Sequence, residues 1–268
     1  MKVLSLAFFR SEHSGYESEA AGAGRGVFFV GFLAAVLRAW NHSMPGWKLW
    51  VHHDARVTEY PYFRVMKALE GNRRDFRLVP MGKAETLCGS MLWRLAPILD
   101  PDVETVACRD IDSLPMPRDF KMLEEFHQNS RSAHAILDSE SHCGPFMGGM
   151  SAFNAARLRE ALGRDVKTLD ELFRRYPIPS PNQHGADQIW MNANLWPRLG
   201  SDTFIHQKRA DVLYPSAAVT RRTVGQECEE DRLANHIGGA YEAEKVVRFY
   251  DEKHPWPLIR EIEKDVIG

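Results

Sequence analysis

The chain contains few cysteines, and they lack the spacings that make cysteine a structural element. Four occur among 268 residues, with no C-x-x-C pair, which argues against a zinc knuckle or a disulfide framework. We therefore expect a reducing, cytoplasmic setting. Cys143 follows His142, but adjacency in sequence is weak evidence for a nucleophile pair. An ordinary buried or loop cysteine is the simpler interpretation.

Long apolar runs and an excess of one charge sign are also missing. The longest apolar run, residues 27–36, is too short to span a bilayer, and the opening apolar segment meets Arg10 and Glu12 too early for a signal peptide. A net charge of -2 provides no global field that would attract nucleic acid or an anionic membrane. We expect no transmembrane segment and no nucleic-acid partner, so partners must be inferred from local sites.

Apolar segments of strand length alternate with helical patterns in the first half of the chain. This alternation predicts an α/β fold with a mostly parallel sheet covered by helices on both faces. The second half mixes strands and helices without the simple alternation. The predicted strands are 3–9, 47–53, 76–79, 104–108, 133–138, 150–154 and 204–206, and the predicted helices are 27–40, 60–70, 88–99, 155–162, 169–176, 186–195 and 257–266.

A pair of acidic residues follows the fourth predicted strand. Asp110 and Asp112 are separated by one residue, so in an extended chain both side chains would point the same way, roughly 6 to 7 Å apart. Like charges at a strand end raise each other's pKa, and a divalent cation with oxygen ligands is the simplest compensator. The alternative is a plain turn before Leu114 and Pro115. Ligands of parallel sheets lie beyond the carboxyl ends of the strands, where Arg10 and Asp54 are also expected.

Four motifs, taken in order, resemble one enzyme family. They are Arg94 on the helix before the fourth strand, Arg109-Asp110-Ile111-Asp112, Phe146-Met147-Gly148-Gly149, and Gly185-Ala186-Asp187-Gln188 with Asn192. Together they are similar to motifs of the metal-dependent GT-A glycosyltransferases, especially the glycogenin-like and lipopolysaccharide galactosyltransferase-like retaining family. Part of the pattern also resembles small bacterial and viral polysaccharide glycosyltransferases.

The resemblance implies a GT-A fold, a Rossmann-like mixed and mostly parallel sheet flanked by helices in a single domain, 1–268. Residues 1–113 would form the nucleotide-binding half, and 114–268 the half that binds sugar and acceptor. The implied reaction moves a sugar from a UDP-sugar donor to a glycan or another hydroxyl acceptor, with retention of anomeric configuration. The implied cofactor is Mn²⁺ or Mg²⁺.

The resemblance also implies roles for individual residues. The metal would be held by Asp110, Asp112 and His236, with His254 as a rival for the third position, because the family's H-x-x-G-x-x-K-P-W segment is spread out in this chain. Asp187 and Gln188 would lie at the reacting sugar carbon. Met147 stands where the family has asparagine, so no sugar hydrogen bond is expected from that position. The residues expected to bind the donor are Arg10, Arg94, Asp110, Gly148, Gly149 and Lys245.

Three tryptophans, Trp190, Trp196 and Trp256, could stack on acceptor sugars, although core packing is their commoner role. Two other functions remain open. A non-catalytic relative could bind nucleotide sugar or carbohydrate without turnover. A phosphatase of the haloacid dehalogenase type also uses a strand-terminal D-x-D with Mg²⁺. Its motif continues with Thr or Val and Gly after the second acid, whereas this chain has Ser113-Leu114-Pro115.

Overall fold

A computed structural model describes residues 1–9, 24–139, 144–207, 217–222, 229–234 and 241–268, with backbone alone at 24–30, 221–222 and 231. These residues form eight strands, and described helices separate most of the strands along the chain. The strands are β1 (Lys2–Phe8), β2 (Trp47–His53), β3 (Phe76–Pro80), β4 (Thr105–Arg109), β5 (Ala133–Leu137), β6 (Ser151–Asn154), β7 (Thr203–Gln207) and β8 (Val219–Arg222).

The helices pack on both faces of the sheet and are joined by short 3-10 segments. The α-helices are α1 (Gly24–Ser43), α2 (Pro61–Asn72), α3 (Leu87–Met91), α4 (Pro117–Gln128), α5 (Ala155–Leu162), α6 (Leu169–Arg175), α7 (Ala186–Asn194), α8 (Trp196–Leu199), α9 (Ala243–Lys253) and α10 (Pro257–Ile267). The 3-10 segments are Ala55–Glu59, Leu92–Leu99, Gly200–Asp202 and Glu229–Arg232.

All eight strands belong to one sheet in the order β3-β2-β1-β4-β6-β5-β7-β8. Among the described strands, β6 alone runs antiparallel to its neighbours, β4 and β5. The central strand β4 is buried along its whole length, as expected for a strand covered on both faces. The predicted fold class, a mixed and mostly parallel Rossmann-like sheet flanked by helices in a single domain, is therefore confirmed.

Alternate residues of β1 feed two hydrophobic cores, one on each face of the sheet. Leu4 and Leu6 join the core formed with α1, α2, α4, α9 and α10. Val3 joins the opposite core, to which the segment Leu92–Leu99 and helices α5 to α8 contribute. This division follows from the two-residue side-chain period of a strand. Within the described residues, no helix combines the length and apolar character needed to cross a membrane.

The predicted helix 88–99 is wrong in part. The chain forms the short helix α3 and then the 3-10 segment Leu92–Leu99, which contains Pro97. Proline lacks the N–H that an α-helix interior requires, so the tighter turn replaces the continuing helix. The sequence pattern also missed α4, α9 and β8. Helices α4 and α9 are rich in charged residues, and their buried faces are narrow.

Two fully buried histidines give the fold a predictable response to acid. Burial lowers the pKa of His52 to about 4 and holds the pKa of His134 well below its ordinary value. An unfolded histidine titrates near pH 6.5, so between about pH 6.5 and 4 the unfolded chain binds more protons than the folded chain. The neutral side chains therefore favour folding above that window, and this stability is lost as pH falls through it.

We expect the free energy of unfolding attributable to His52 to fall by about 1.6 kcal/mol between pH 6.5 and 5.0, and that attributable to His134 to fall in the same direction. Urea denaturation of wild type and His52→Gln at both values isolates the effect, because glutamine does not titrate. The pH slope should be shallower in the variant. Equal slopes would mean that His52 has the same pKa in the folded and unfolded chain, which would contradict the lowered pKa.

Candidate functional site

The end of β4 meets the beginning of β6 because these strands are antiparallel. Cys108, near the end of β4, lies opposite Ser151, the first residue of β6. The turn after β4 that carries Asp110 and Asp112, here called the acidic turn, is therefore adjacent to the loop before β6 that contains Gly148 and Gly149. The first turn of α7 and the 3-10 segment Leu92–Leu99 complete the edge, since Arg94 contacts residues from both the acidic turn and α7.

Asp110 and Asp112 lie on a turn rather than on extended chain. Strand β4 ends at Arg109, and the Ser113 N–H donates to the Asp110 carbonyl oxygen at 3.0 Å. The extended backbone predicted for Asp110 and Asp112 is therefore wrong. The alternative prediction, a turn before Leu114 and Pro115, gives the correct backbone conformation. The turn nevertheless keeps the two acids close, because buried Ile111 anchors its middle while Asp112 remains exposed.

Arg94 is the centre of the site. Its side chain is 1% exposed, and its guanidinium pairs with the carboxylates of Asp110 and Asp187. The Nη2–Oδ2 distance to Asp187 is 2.8 Å, and Nε donates to the Met91 carbonyl oxygen at 2.7 Å. An arginine on a solvated helix face is thus excluded. Arg94 is instead a fixed donor that joins the acidic turn to α7.

The charges of this cluster do not balance. Burial opposes charge on Arg94, but the Asp110 and Asp187 carboxylates outweigh it and raise the Arg94 pKa. Burial raises the pKa of Asp187, although Arg94 opposes this change. Desolvation by the surrounding protein, followed by repulsion from Asp110, raises the pKa of Asp112 to about 6. When all three acids are ionised, one guanidinium faces three carboxylates.

The site's donor chemistry fits a divalent cation. Carboxylate oxygens are the ligands that Mg²⁺ and Mn²⁺ prefer. The pKa of the Asp112 carboxyl is raised by desolvation and by Asp110, so a nearby positive charge would favour its ionised form. Asp110 retains a side chain that is 34% exposed although it pairs with Arg94. Asp110 and Asp112 are therefore described residues that could contribute ligands to such an ion.

Gly148 and Gly149 lie directly against the charged cluster. A Cβ at residue 148 would collide with the Asp187 carboxylate and approach Arg94 Nη2 to 3.1 Å. A Cβ at residue 149 would collide with the Asp110 carboxylate and lie 2.9 Å from its backbone nitrogen. Both positions therefore require glycine, because the backbone approaches the acids too closely for a side chain.

Asn192 positions this loop in a way that the sequence motif did not reveal. The Phe146 N–H donates to Asn192 Oδ1 at 3.0 Å, and Asn192 Nδ2 donates to the Phe146 carbonyl oxygen at 2.8 Å. Asn192 belongs to a motif in the sequence, but the sequence alone predicted no role for it. Its reciprocal contact links α7, which carries Asp187, to the loop that carries Gly148.

Arg109 and Asp119 form a second support behind the acidic turn. Both side chains are buried, and two hydrogen bonds of 2.9 and 2.6 Å join them. This paired geometry anchors the end of β4 to the first turn of α4. Asp119 was not predicted from the sequence, where the available signal was an acid in the first helical turn after Pro117.

Tyr241 connects the C-terminal part of the chain to the acidic turn. Its hydroxyl donates to the Ile111 carbonyl oxygen at 3.4 Å, and its pKa is raised by burial and then by Asp112. Tyr241 also pairs with Ala234 in an antiparallel bridge. His236 lies between these two residues in sequence and, like Arg10, lies outside the described residues.

Other residues singled out in the sequence have local partners. Lys245 pairs with Glu242 on the exposed start of α9, 2.6 Å apart. His254 stacks on His42 and faces Glu230, and none of its described contacts is with the acidic pair. Asp54 is buried and accepts backbone hydrogen bonds from the following 3-10 turn. Gln188 is half-buried on α7, directly after Asp187.

Two of the three tryptophans considered for acceptor binding are core residues. Trp190 is fully buried, and its indole N–H donates to the Tyr176 carbonyl oxygen at 2.8 Å. Trp256 is buried against Trp40. Trp196 is half-buried and packs edge-on against Phe146. Stacking on an acceptor is therefore excluded for Trp190 and Trp256 by their burial.

The cysteines that the structure describes are unsuited to nucleophilic chemistry. Cys88 and Cys108 are free and buried, and burial raises the pKa of each thiol to about 12. A nucleophilic cysteine reacts as the thiolate, which such a pKa disfavours at neutral pH. The adjacent pair His142 and Cys143 lies outside the described residues.

Alanine at position 149 tests the close approach of this loop. Gly149→Ala should lower the free energy of unfolding by about 1–3 kcal/mol, because the new methyl group meets backbone as well as carboxylate. Gly71→Ala is the matched control. Gly71 lies in the last turn of α2 with open space at its Cβ position. This control should be neutral or stabilising by up to about 1 kcal/mol. Equal urea-denaturation midpoints for the two variants would contradict the geometry.

Comparisons with known proteins find distant structural similarity. No protein-family profile and no curated protein matches the chain. Among solved structures, S. aureus TarS 1-349 is similar at a TM-score of 0.40 and 9% identity, over 66% of this chain and 54% of that chain. The chain thus matches about half of that structure's length. The 4-diphosphocytidyl-2C-methyl-D-erythritol synthase from Anaerococcus prevotii is similar at 0.37 and 15% identity, over 65% of this chain and 82% of that chain. Similarity at this level does not define an activity for this chain.

Proposed function

We propose that the chain is a metal-dependent glycosyltransferase that moves a sugar from a UDP-sugar to a glycan or another hydroxyl acceptor, with retention of configuration. One observation carries the proposal. Asp110 and Asp187, which come from separate motifs of the resemblance, pair with the same buried Arg94, directly beside Gly148 and Gly149. Residues spread over nearly a hundred positions are thus neighbours, which supports their assignment to one shared site.

The metal-binding part of the proposal assigns Asp110, Asp112 and His236 as ligands for Mn²⁺ or Mg²⁺. The excess of carboxylates over Arg94 and the raised pKa of Asp112 support the acidic ligands. His236 is assigned from the resemblance alone, and it lies in sequence between Ala234 and Tyr241, whose hydroxyl donates to the Ile111 carbonyl oxygen. A histidine ligand would favour Mn²⁺. When bound, the ion would supply a Lewis acid that neutralises charge on the leaving diphosphate.

The sugar-binding part assigns Asp187 and Gln188 to the donor sugar. Asp187 is buried, and Arg94 fixes its orientation, so the carboxylate can accept hydrogen bonds from sugar hydroxyls without first reorganising. Gln188 follows on the same helix turn and would lie near the reacting carbon. Gly148 and Gly149 let the backbone approach the sugar, because no side chain intervenes.

The remaining cations would meet the diphosphate. Arg10 and Lys245 are proposed as phosphate contacts, and Arg94 as the fixed donor between phosphate and sugar. Fixed donors directed at charge that develops on a leaving group lower the barrier most effectively in a site shielded from water. The burial of Arg94 and Asp187 provides such shielding on the protein side.

A UDP-release assay with a panel of UDP-sugars, Mn²⁺ and simple glycan acceptors tests this function. We expect UDP release from at least one donor, dependent on metal and abolished by EDTA. Tight binding of nucleotide sugars without turnover would favour the non-catalytic alternative. Metal-dependent hydrolysis of p-nitrophenyl phosphate without UDP release would favour the phosphatase alternative.

A further inference from the structure

Three side chains from separate segments converge at a second place in the fold. His42 lies in the last turn of α1, Glu230 in the 3-10 segment Glu229–Arg232, and His254 directly after α9. The Glu230 Oε1 atom lies 3.5 Å from His42 Nε2 and 4.0 Å from His254 Nε2. One ligand atom of each residue lies within 4.8 Å of the other two. Two imidazoles thus face one carboxylate oxygen.

The Glu230 carboxylate at the centre of this cluster is buried. The Glu230 side chain is only 8% exposed, whereas the His42 and His254 side chains are 32% and 33% exposed. A carboxylate removed from water needs a compensating charge. The nitrogen–oxygen distances of 3.5 and 4.0 Å exceed those of ordinary hydrogen bonds. They approach the separation of about 3.3 Å between neighbouring ligands of a tetrahedral ion bound at about 2.0–2.1 Å.

The two imidazoles are suited to act as ligands. Burial, and then the neighbouring His254, lowers the pKa of His42, so the neutral form that binds metal is favoured. The rings stack with centroids 3.6 Å apart and an angle of 20° between them. Because both rings are partly exposed, they can rotate about their Cβ–Cγ bonds until their nitrogens point at a common ion.

We propose that His42, Glu230 and His254 form a transition-metal site, best suited to Zn²⁺, distinct from the acidic site after β4. Two imidazole nitrogens and one carboxylate oxygen favour Zn²⁺ over the harder Mg²⁺, and water would complete a tetrahedral site. The ion would cross-link three parts of the fold: α1, the segment Glu229–Arg232 and the end of α9. The site goes beyond the proposed function, because it uses none of the residues assigned to the donor or to its metal.

The position of Glu230 gives this site a structural consequence. The described segment that carries Glu230 ends at Ala234, which pairs with Tyr241. The Tyr241 hydroxyl donates to the carbonyl oxygen of Ile111, between Asp110 and Asp112. An ion at Glu230 would therefore restrain a segment that is connected to the acidic turn by direct contacts.

Zn²⁺ binding to the full chain tests the proposal. The background is Asp110→Asn with Asp112→Asn, which removes the acidic site from competition. Competition against a chromogenic chelator should give one bound Zn²⁺ per chain in this background, with a raised melting temperature. His42→Ala and His254→Ala should each weaken binding at least about tenfold and remove the thermal shift. The matched control is His184→Ala, which changes an exposed histidine and should leave Zn²⁺ binding unchanged.

Co²⁺ substitution gives a second measurement that does not depend on stability. Intense visible d–d bands of a tetrahedral ion should appear in the background variant and disappear on Glu230→Gln. Absence of Zn²⁺ binding, or equal binding by the background, His42→Ala and His254→Ala, would overturn the site. The three residues would then form only a cluster of two imidazoles around one carboxylate, without a metal. Neither result depends on UDP-sugar turnover, so this proposal and the proposed function can fail separately.

Discussion

Replacing Arg94 with methionine is expected to lower the free energy of unfolding by about 3–5 kcal/mol. Methionine keeps much of the side-chain volume but removes the charge that Asp110 and Asp187 share. Asp187 is 6% exposed, so its carboxylate would remain buried without its cation. Urea denaturation at pH 7 measures the loss. A decrease of less than about 1 kcal/mol would mean that Arg94 is not the charge that stabilises this cluster.

Two further variants separate charge from packing. Arg94→Met combined with Asp187→Asn should recover part of the lost stability, because no buried charge is left unpaired on α7. Arg164→Met is the exposed control: Arg164 pairs with Glu160 at 2.9 Å, but the side chains are 79% and 54% exposed. Exposed pairs contribute little, so this substitution should change stability by less than about 0.5 kcal/mol. A similar loss in Arg94→Met and Arg164→Met would mean that the buried ion pairs of Arg94 contribute no more to stability than an exposed pair does.

Asp112→Asn is expected to reduce metal-dependent UDP release by about 10²–10³-fold. Asparagine has the same shape but contributes no negative charge to the ion that balances the leaving diphosphate. The stability of the folded chain should not decrease. Desolvation and repulsion from Asp110 raise the pKa of Asp112 to about 6, so ionised Asp112 opposes folding at neutral pH. The melting temperature should therefore stay equal or rise while activity is lost.

The opposed effects on activity and stability distinguish a functional role from damage to the fold. Glu261→Gln is the matched control, since Glu261 is an exposed acid on α10, and both its activity and its melting temperature should stay unchanged. UDP release by Asp112→Asn within threefold of wild type would contradict a metal role for Asp112. A large drop in melting temperature would show that Asp112 supports the fold instead.

The elements with strong apolar patterns were predictable from the sequence. The bounds predicted for β2 and α5 are those of the structure, and the alternation in the first half predicted the parallel part of the sheet. Helix α9 was missed because it buries few apolar side chains, chiefly Val246 and Tyr250, within a charged segment. Such a helix is stabilised by packing against α1 and within the core that α1, α2, α4, α9 and α10 form, and local sequence patterns do not reveal these contacts.

The acidic pair was predictable from the sequence as well, but its surroundings were not. Asp110 and Asp112 follow a buried strand, and that local signal located them at the edge of the sheet. The contact between Arg94 and Asp187 joins residues 93 positions apart, so no local spacing predicts it. The close approach of Gly149 to Asp110 depends on β6 running antiparallel to β4, which is a property of the topology.

The acidic turn is proposed to bind a divalent ion together with a nucleoside diphosphate. The most direct test of this binding is the melting temperature of wild type and Asp112→Asn with UDP, in the presence of Mn²⁺ or of EDTA. At a ligand concentration one hundred times the dissociation constant, binding stabilises the folded chain by about 2.7 kcal/mol. We predict a clear rise for wild type with UDP and Mn²⁺ together, and little or none with EDTA or in Asp112→Asn. Equal stabilisation by UDP with Mn²⁺ and with EDTA would contradict the account.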